Sequence, residues 1–303
     1  MNNGKSIKIF LVDGSAGGML TAEIGNWTGH VIVTPRSVLQ RLFEREESKR
    51  TGVYFLIGDY VNDDSTEETA VYIGESDNVG ERLKKHALPV DRGGKDFWDR
   101  AIVLTSKDSN LTKAHARYLE SRFISIAKQA RRSVVTNGTD PDSISLPESD
   151  KSDMENFISE AQVLLPVLGV SVFRVIDPSR RSTGNISDTT FTPIFELSPS
   201  NRKVVAKMQI VDGEFVVLKG STTTKTWTSV KTSYSGLRKK LEEDGILELS
   251  DDADVKRFVQ DYAFSSPSAA AAVVLGRAAN GRTEWKEPKT GLKLVEWENQ
   301  NIG

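Results

Sequence analysis

The sequence predicts an α/β chain, in the broad α+β sense, made of two folded parts, and three observations lead there. Between residues 51 and 138, short β-branched and aromatic runs alternate with amphipathic helical runs in the order β-β-α-β-α. That is the pattern of a small three-stranded antiparallel sheet flanked by helices. Residues 1–50 carry further strand and helix patterning ahead of it, a β/α extension, and residues 139–194 read as a linker holding one helix. Patterning resumes over residues 195–303 as a second α+β domain, and a length of 303 residues suits two such units better than one.

Element by element, residues 6–14 (SIKIFLVDG) read as a strand entering a turn that holds the glycines at 14, 17 and 18. A phosphate loop needs Gly-Lys-Ser/Thr opening a helix, whereas Gly18 is followed by Met19 and Leu20. HVIV is a strand, and Thr34-Pro35 opens a helix expected to run to about Lys49, with Val38, Leu39, Leu42 and Phe43 on one face. TGVYFLIGDY and AVYIG form an antiparallel pair about an acidic loop, followed by a helix over about 78–86, the loop LPVDRGGKD, and a strand in FWDRAIVLTS. Residues 112–131 place Leu119, Phe123 and Ile126 at helical spacing. Residues 138–151 are polar, 154–168 form a helix, and 179–192 are too polar to pack. In the last part, KVVAKMQIV and GEFVVLKGS are strands, a basic helix lies around 237–243, and a helix opened by Ser266-Pro267 runs to Asn280-Gly281. RTEWK and LKLVEWE are expected to close the chain as a hairpin.

Composition narrows the function classes. With no cysteine there is no disulfide, thiolate zinc site or thiol nucleophile, which fits a reducing cytoplasm. The apolar run at residues 9–12 is too short for a signal peptide. Residues 163–175 are interrupted by Pro166, Gly169 and Ser171, so no membrane span is expected. The net charge of −2 hides an uneven distribution: residues 78–137 hold 13 lysines and arginines against 6 acids, the footprint that phosphate binding needs.

Taken singly, the polar residues of this block read as structural. Tyr54 and Tyr72 are strand tyrosines, Arg82 and His86 share a helix face with Asn78, and Glu120 is one acid on a long helix. Their order is more specific. Gly52-Val53-Tyr54, then Tyr72-Ile73-Gly74, then Arg82, His86, Glu120 and Asn137 together resemble the GIY-YIG nuclease family over residues 51–138, with GVY in place of GIY. The resemblance implies a metal-dependent endonuclease acting on DNA, with Mg2+ or Mn2+ held through Glu120, Arg82 on the scissile phosphate, and Asn137 tethering the end of the helix to the site or to Tyr72. It makes Tyr54 the general base with Tyr72 assisting. The chemistry equally admits His86 as proton acceptor, because a tyrosine with a free pKa of ~10 needs nearby positive charge to act as a base. One carboxylate suffices for magnesium, which keeps several waters. His115 reads as a phosphate contact or a surface residue, and Phe97-Trp98 as packing. The alternative function is a DNA-binding protein on the same scaffold that does not cleave, and cutting both strands calls for a homodimer.

Residues from about 195 onward resemble the uncharacterised carboxy-terminal domain often fused to GIY-YIG nucleases, through Val217-Leu218-Lys219-Gly220-Ser221, the Ser-Ser-Pro-Ser-Ala-Ala block at 265–270, and Asn280-Gly281 followed by Trp285. The last two blocks also look like the RAMA domain found beside restriction enzymes. The resemblance implies DNA recognition, with Trp227, Tyr234, Trp285 and Trp297 interleaved among Lys225, Lys231, Arg238, Lys239 and Lys240. The simpler reading of those same residues is buried tryptophans and solvent-facing lysines.

Overall fold

The computed structural model describes residues 4–61, 67–138, 145–175, 193–199, 203–211, 213–228, 233–252 and 254–302. Residues 179–192, expected to be a linker, and Lys231 lie outside them. The chain divides into two compact units, Met1–Val175 and Ile176–Gly303, each mixed α and β. Among the described residues, no helix is long and apolar enough to cross a membrane.

The first unit contains β1 (Ile7–Leu11), β2 (Leu20–Ile24), β3 (Gly29–Pro35), α1 (Leu39–Phe43), β4 (Gly52–Val61), β5 (Glu67–Ser76), α2 (Val79–His86), β6 (Arg100–Ser106), α3 (Lys113–Ala130), β7 (Val134–Val135) and α4 (Glu148–Val167). The three strands β4, β5 and β6 do not stand alone, as the sequence suggested. They belong to a seven-stranded sheet of order β1-β2-β3-β6-β4-β5-β7, antiparallel except at β5–β7. The residues expected to form an extension supply three of its strands, because β3 pairs with β6 along its whole length, Gly29 opposite Ser106 through Pro35 opposite Arg100.

Alternation along β4 sorts its side chains onto two faces. Val53, Phe55 and Ile57 join the core built with α3 and α4, while Tyr54 and Leu56 face the smaller core of Leu39, Leu42, Val79 and Leu83 on α1 and α2. The helix expected inside a linker is α4. Its Met154, Phe157, Ile158, Ala161, Leu164 and Leu165 recur every three or four residues and are buried in the larger core, where Phe157 meets Trp27 with ring centroids 5.0 Å apart. The helix expected over residues 35–49 is only five residues long, between two 3-10 turns, since its apolar side spans little more than Leu39 and Leu42.

The second unit contains β8 (Phe195–Leu197), β9 (Ala206–Val211), β10 (Glu214–Val217), β11 (Thr222–Thr224), α5 (Ser233–Glu243), β12 (Leu247–Leu249), β13 (Val255–Phe258), β14 (Tyr262–Phe264), α6 (Pro267–Leu275), α7 (Gly281–Glu284) and α8 (Leu294–Ile302). Two antiparallel sheets, β14-β10-β9-β8 and β11-β13-β12, flank a core in which every residue of α6 from Ala269 to Leu275 is buried. Ser266 caps α6 by accepting from the Ala269 N–H at 3.1 Å, and the helix stops at left-handed Gly276 (φ +64°), four residues before the expected end. Asn280 caps α7 instead.

The expected terminal hairpin is reduced to a single antiparallel bridge, Lys286 opposite Lys293, with the Glu287 N–H on the Leu292 carbonyl at 2.8 Å and the Leu294 N–H on the Trp285 carbonyl at 2.9 Å. Lys286 makes only isolated bridges to Glu196 and Lys293, after which the chain turns into α8, whose Leu294 and Trp297, three apart, pack on one side. Trp285 is fully buried, and its indole N–H donates to the Pro267 carbonyl at 3.1 Å. Trp285→Ala should therefore cost about 3–5 kcal/mol, read as a lowered midpoint in chemical denaturation of the full chain. A loss below about 1 kcal/mol would contradict the placement of this ring in the core.

Candidate functional site

The register of β4 against β5 sets Tyr54 opposite Gly74 and Leu56 opposite Tyr72. Facing residues share a side, so both tyrosines project toward α2, their ring centroids 6.3 Å apart. Gly74 is needed here. A Cβ at this position would overlap the hydroxyl and ring of Tyr54, which lies across the strand. Helix α2 is opened by Asn78, whose side chain accepts from the Glu81 N–H at 3.0 Å, so Asn78 is a cap rather than part of the reactive face. Val79 and Leu83 anchor the helix, and Arg82 and His86, one turn apart, reach the tyrosines.

Tyr54 Oη lies 2.8 Å from His86 Nε2, and both side chains are buried. Burial pushes His86 down to about 4, with the charges of Arg82 and Lys95 adding to it, so the ring is neutral at neutral pH. Burial also raises Tyr54 above the usual phenol range, as does the neighbouring Tyr72. Arg82, hydrogen-bonded to Tyr54 and Tyr72, pulls the other way without prevailing. The resting pair is thus a phenol and a neutral imidazole.

Glu120 and Asn137 line the outer edge of β5. Alternate residues of a strand present their main-chain groups to the same edge, and residues 71, 73 and 75 are met there in turn. Thr136 N–H donates to the Val71 carbonyl at 2.9 Å. Asn137 grips Ile73 twice, accepting from its N–H at 3.1 Å and donating to its carbonyl at 2.7 Å. Glu120 accepts from the main chain of Glu75. The tether expected of Asn137 therefore ends on the residue between Tyr72 and Gly74 rather than on Tyr72 itself. Glu120 is raised to about 7, first by burial and next by the charge of Glu75, with Lys113 and Arg117 opposing.

Two residues escaped sequence reading. Glu75 follows Tyr72-Ile73-Gly74 directly and holds Lys113 at 2.6 Å. Lys95 places its ammonium 4.2 Å from the centroid of the Tyr72 ring. Alternation along β5 offered a signal for Glu75, since it shares a face with Ile73; Lys95 sits in a loop, where spacing carries none.

Other expectations need correcting. His115 is not a plain surface residue. Its Nδ1 accepts from the Thr112 N–H in the box that caps α3, and Nε2 lies 3.3 Å from Asp150. In the second unit, Arg238 is only 2% exposed and spends its guanidinium on Thr223, Thr224, the Val273 carbonyl and Glu242, so it offers nothing to an outside ligand. Trp285 is core, Trp297 packs edge-on against Phe195, and Tyr234 packs on the same core. Trp98 is buried beneath the Arg36 guanidinium, as packing predicted.

Among the described residues there is no group of three or more His, Cys, Asp or Glu able to cage a metal ion. Glu120 nevertheless suits an ion that keeps most of its water: it is half-buried, and among the described residues no lysine or arginine lies within ion-pair distance of it.

Comparison with known proteins identifies one region. Residues 197–298 match the family described as a domain of unknown function, DUF4357. No curated protein and no solved structure matches the chain. The match lies within the second unit, and the tyrosine cluster of the first rests on its own geometry.

Two outcomes follow. Gly74→Ala should cost about 1–3 kcal/mol by forcing the Tyr54 ring aside, and a melt equal to wild type would remove the close approach. Because His86 has its folded pKa depressed, its neutral form stabilises the fold above pH 6.5, and that contribution is lost as pH falls toward 4. Denaturant titrations should show a slope of up to about 1.4 kcal/mol per pH unit in that window, flattened in His86→Gln.

Proposed function

We propose that the chain is a metal-dependent endonuclease of the GIY-YIG type that hydrolyses DNA phosphodiester bonds. The observation that carries the reading is the convergence of Tyr54, Tyr72, Arg82 and His86 on one face of the sheet, with Glu120 near enough for its charge to act on Tyr54. Phosphodiester hydrolysis needs an activated water, stabilised phosphoryl oxygens and an assisted 3′ leaving oxygen, and these side chains match that list.

Glu120 would hold Mg2+ or Mn2+, and the bound ion would supply Lewis-acid stabilisation of phosphate charge. Arg82 contributes a guanidinium whose fork suits two phosphate oxygens. With its proton on Nδ1, neutral His86 presents a bare Nε2 to the Tyr54 hydroxyl. As water attacks phosphorus, Tyr54 takes the water proton while passing its own to His86; the P–O3′ bond breaks, its electron pair stays on the 3′ oxygen, and that oxygen takes a proton from solvent. In this reading the two act as one base: a phenol raised by burial needs the imidazole as its acceptor, and the imidazole reaches the water through the phenol. Asn137 keeps β5 straight beneath Tyr72 by holding Ile73.

A cytoplasmic role in restriction or defence, a second unit that selects the DNA, and pairing of two copies to cut both strands complete the proposal. One set of these residues per chain is enough for a nick.

Glu120→Gln should abolish cleavage of plasmid DNA in magnesium while leaving DNA affinity within a few-fold, since the amide keeps the shape and loses the charge. Full activity in that variant sinks the assignment. Tyr54→Phe and His86→Ala should each lower the single-turnover rate by ~10²–10⁴, with the double variant little worse than either single one. Additive losses would show that the two act separately.

A further inference from the structure

Several cations around the sheet are neutralised in place. Lys84 pairs with Glu81 at 2.6 Å, Lys113 with Glu75 at 2.6 Å, and Arg122 with Glu155 at 2.5 Å. Beside the tyrosines the pattern changes. Arg82 hydrogen-bonds Tyr54 and Tyr72, and Lys95 lies over the Tyr72 ring; among the described residues neither has a carboxylate within ion-pair distance.

The loop after α2 is built to deliver this lysine. Residues 88–95 double back tightly: Gly93 N–H donates to the Val90 carbonyl at 2.9 Å and Gly94 N–H to the Pro89 carbonyl at 3.1 Å. Gly93 is left-handed at φ +82°, and a Cβ on Gly94 would run into the Leu88 carbonyl, so the Gly-Gly pair is required by the path. The return ends with Lys95 N–H on the His86 carbonyl at 2.9 Å. One residue thus ties the end of α2 by its main chain and sets its ammonium on Tyr72 by its side chain. A ring face attracts a cation enough to orient it but not to neutralise it. A half-buried ammonium so held, next to a second cation without a carboxylate, calls for an anion.

We propose that Lys95 is a substrate-binding residue of this site, taking a non-bridging oxygen of the DNA phosphate that Arg82 also holds. The proposal rests on the nuclease reading for the identity of the anion, and its test separates the two. The full chain is titrated with a short duplex oligonucleotide, without divalent cations, by fluorescence anisotropy over a range of KCl. In parallel the ring resonances of its 3 histidines are followed by NMR.

Lys95→Met should weaken binding about ten- to hundred-fold, the worth of one charged hydrogen bond. It should also reduce the slope of log K against log salt by about one and erase the DNA-induced shift of the His86 ring. Lys95→Arg should restore most of the affinity. Unchanged affinity, slope and His86 shift in a folded Lys95→Met overturn the proposal. Lys95→Gln guards against a folding defect in the methionine variant, and loss of fold in both makes Lys95 structural and equally overturns it. If the wild type cuts no DNA in magnesium yet binds it in a Lys95-dependent way, the nuclease reading falls and the phosphate contact stands. Normal cutting with Lys95-independent binding gives the converse.

Discussion

The pairing register of β4 and β5 is the constraint on which the rest of the site depends. A shift of one residue would turn Tyr54 or Tyr72 through the sheet into the core shared with α3 and α4, because side chains alternate with a period of two. The ten-residue ladder from Gly52–Ser76 to Val61–Glu67 fixes the register along its length, and the fit of the Tyr54 ring over Gly74 fixes it locally. Asn137 adds a third control at the outer edge, where its amide occupies both main-chain groups of Ile73. Three weak specifications at separate places make a strong one together, since a slip would have to break them all.

Burial then sets the charges. It neutralises His86, keeps Tyr54 protonated and raises Glu120 to about 7, so each of these groups carries less charge than it would in water, beside the guanidinium of Arg82 and the ammonium of Lys95. Arg82 and Lys95 bring positive charge to the tyrosines while neither Tyr54 nor His86 is charged at rest. Positive charge in such a place lowers the cost of bringing a phosphate to buried groups. It also keeps the Tyr54–His86 proton poised between two neutral partners.

The central strands, α2 and α3 were legible in the sequence because their patterns are local: alternation in AVYIG and TGVYFLIGDY, and helical spacing of Leu119, Phe123 and Ile126. The tyrosines, Arg82 and His86 were legible as a set through their order along the chain. What could not be read was non-local. The pairing of β3 with β6 joins residues some seventy positions apart, and nothing within either strand announces its partner. Glu75 matters because of Glu120 and Lys95 because of Tyr72, each a relation between distant segments. The terminal hairpin stops after one bridge for a different reason: LKLVEWE alternates well enough for a strand, yet Leu294 and Trp297 also share a helix face, and packing chose the helix from Leu294 on.

The position of β6 between β3 and β4 has a consequence for what counts as a unit of inheritance. Its main chain is bonded on both sides, to β3 from Arg100 to Ser106 and to β4 over most of the same span. A segment delimited by the motif-bearing residues alone would strip β3 away and bare a seven-residue strand with apolar Ala101, Ile102, Val103 and Leu104 at its centre, the kind of edge that recruits foreign strands. A segment ending at residue 150 would likewise lose nearly all of α4, whose Phe157 and Leu164 cover the other core. The stretch that carries the chemistry is therefore shorter than the stretch that can stay soluble. Shuffling between genomes could transplant this site only together with its flanking strands and the helix that follows.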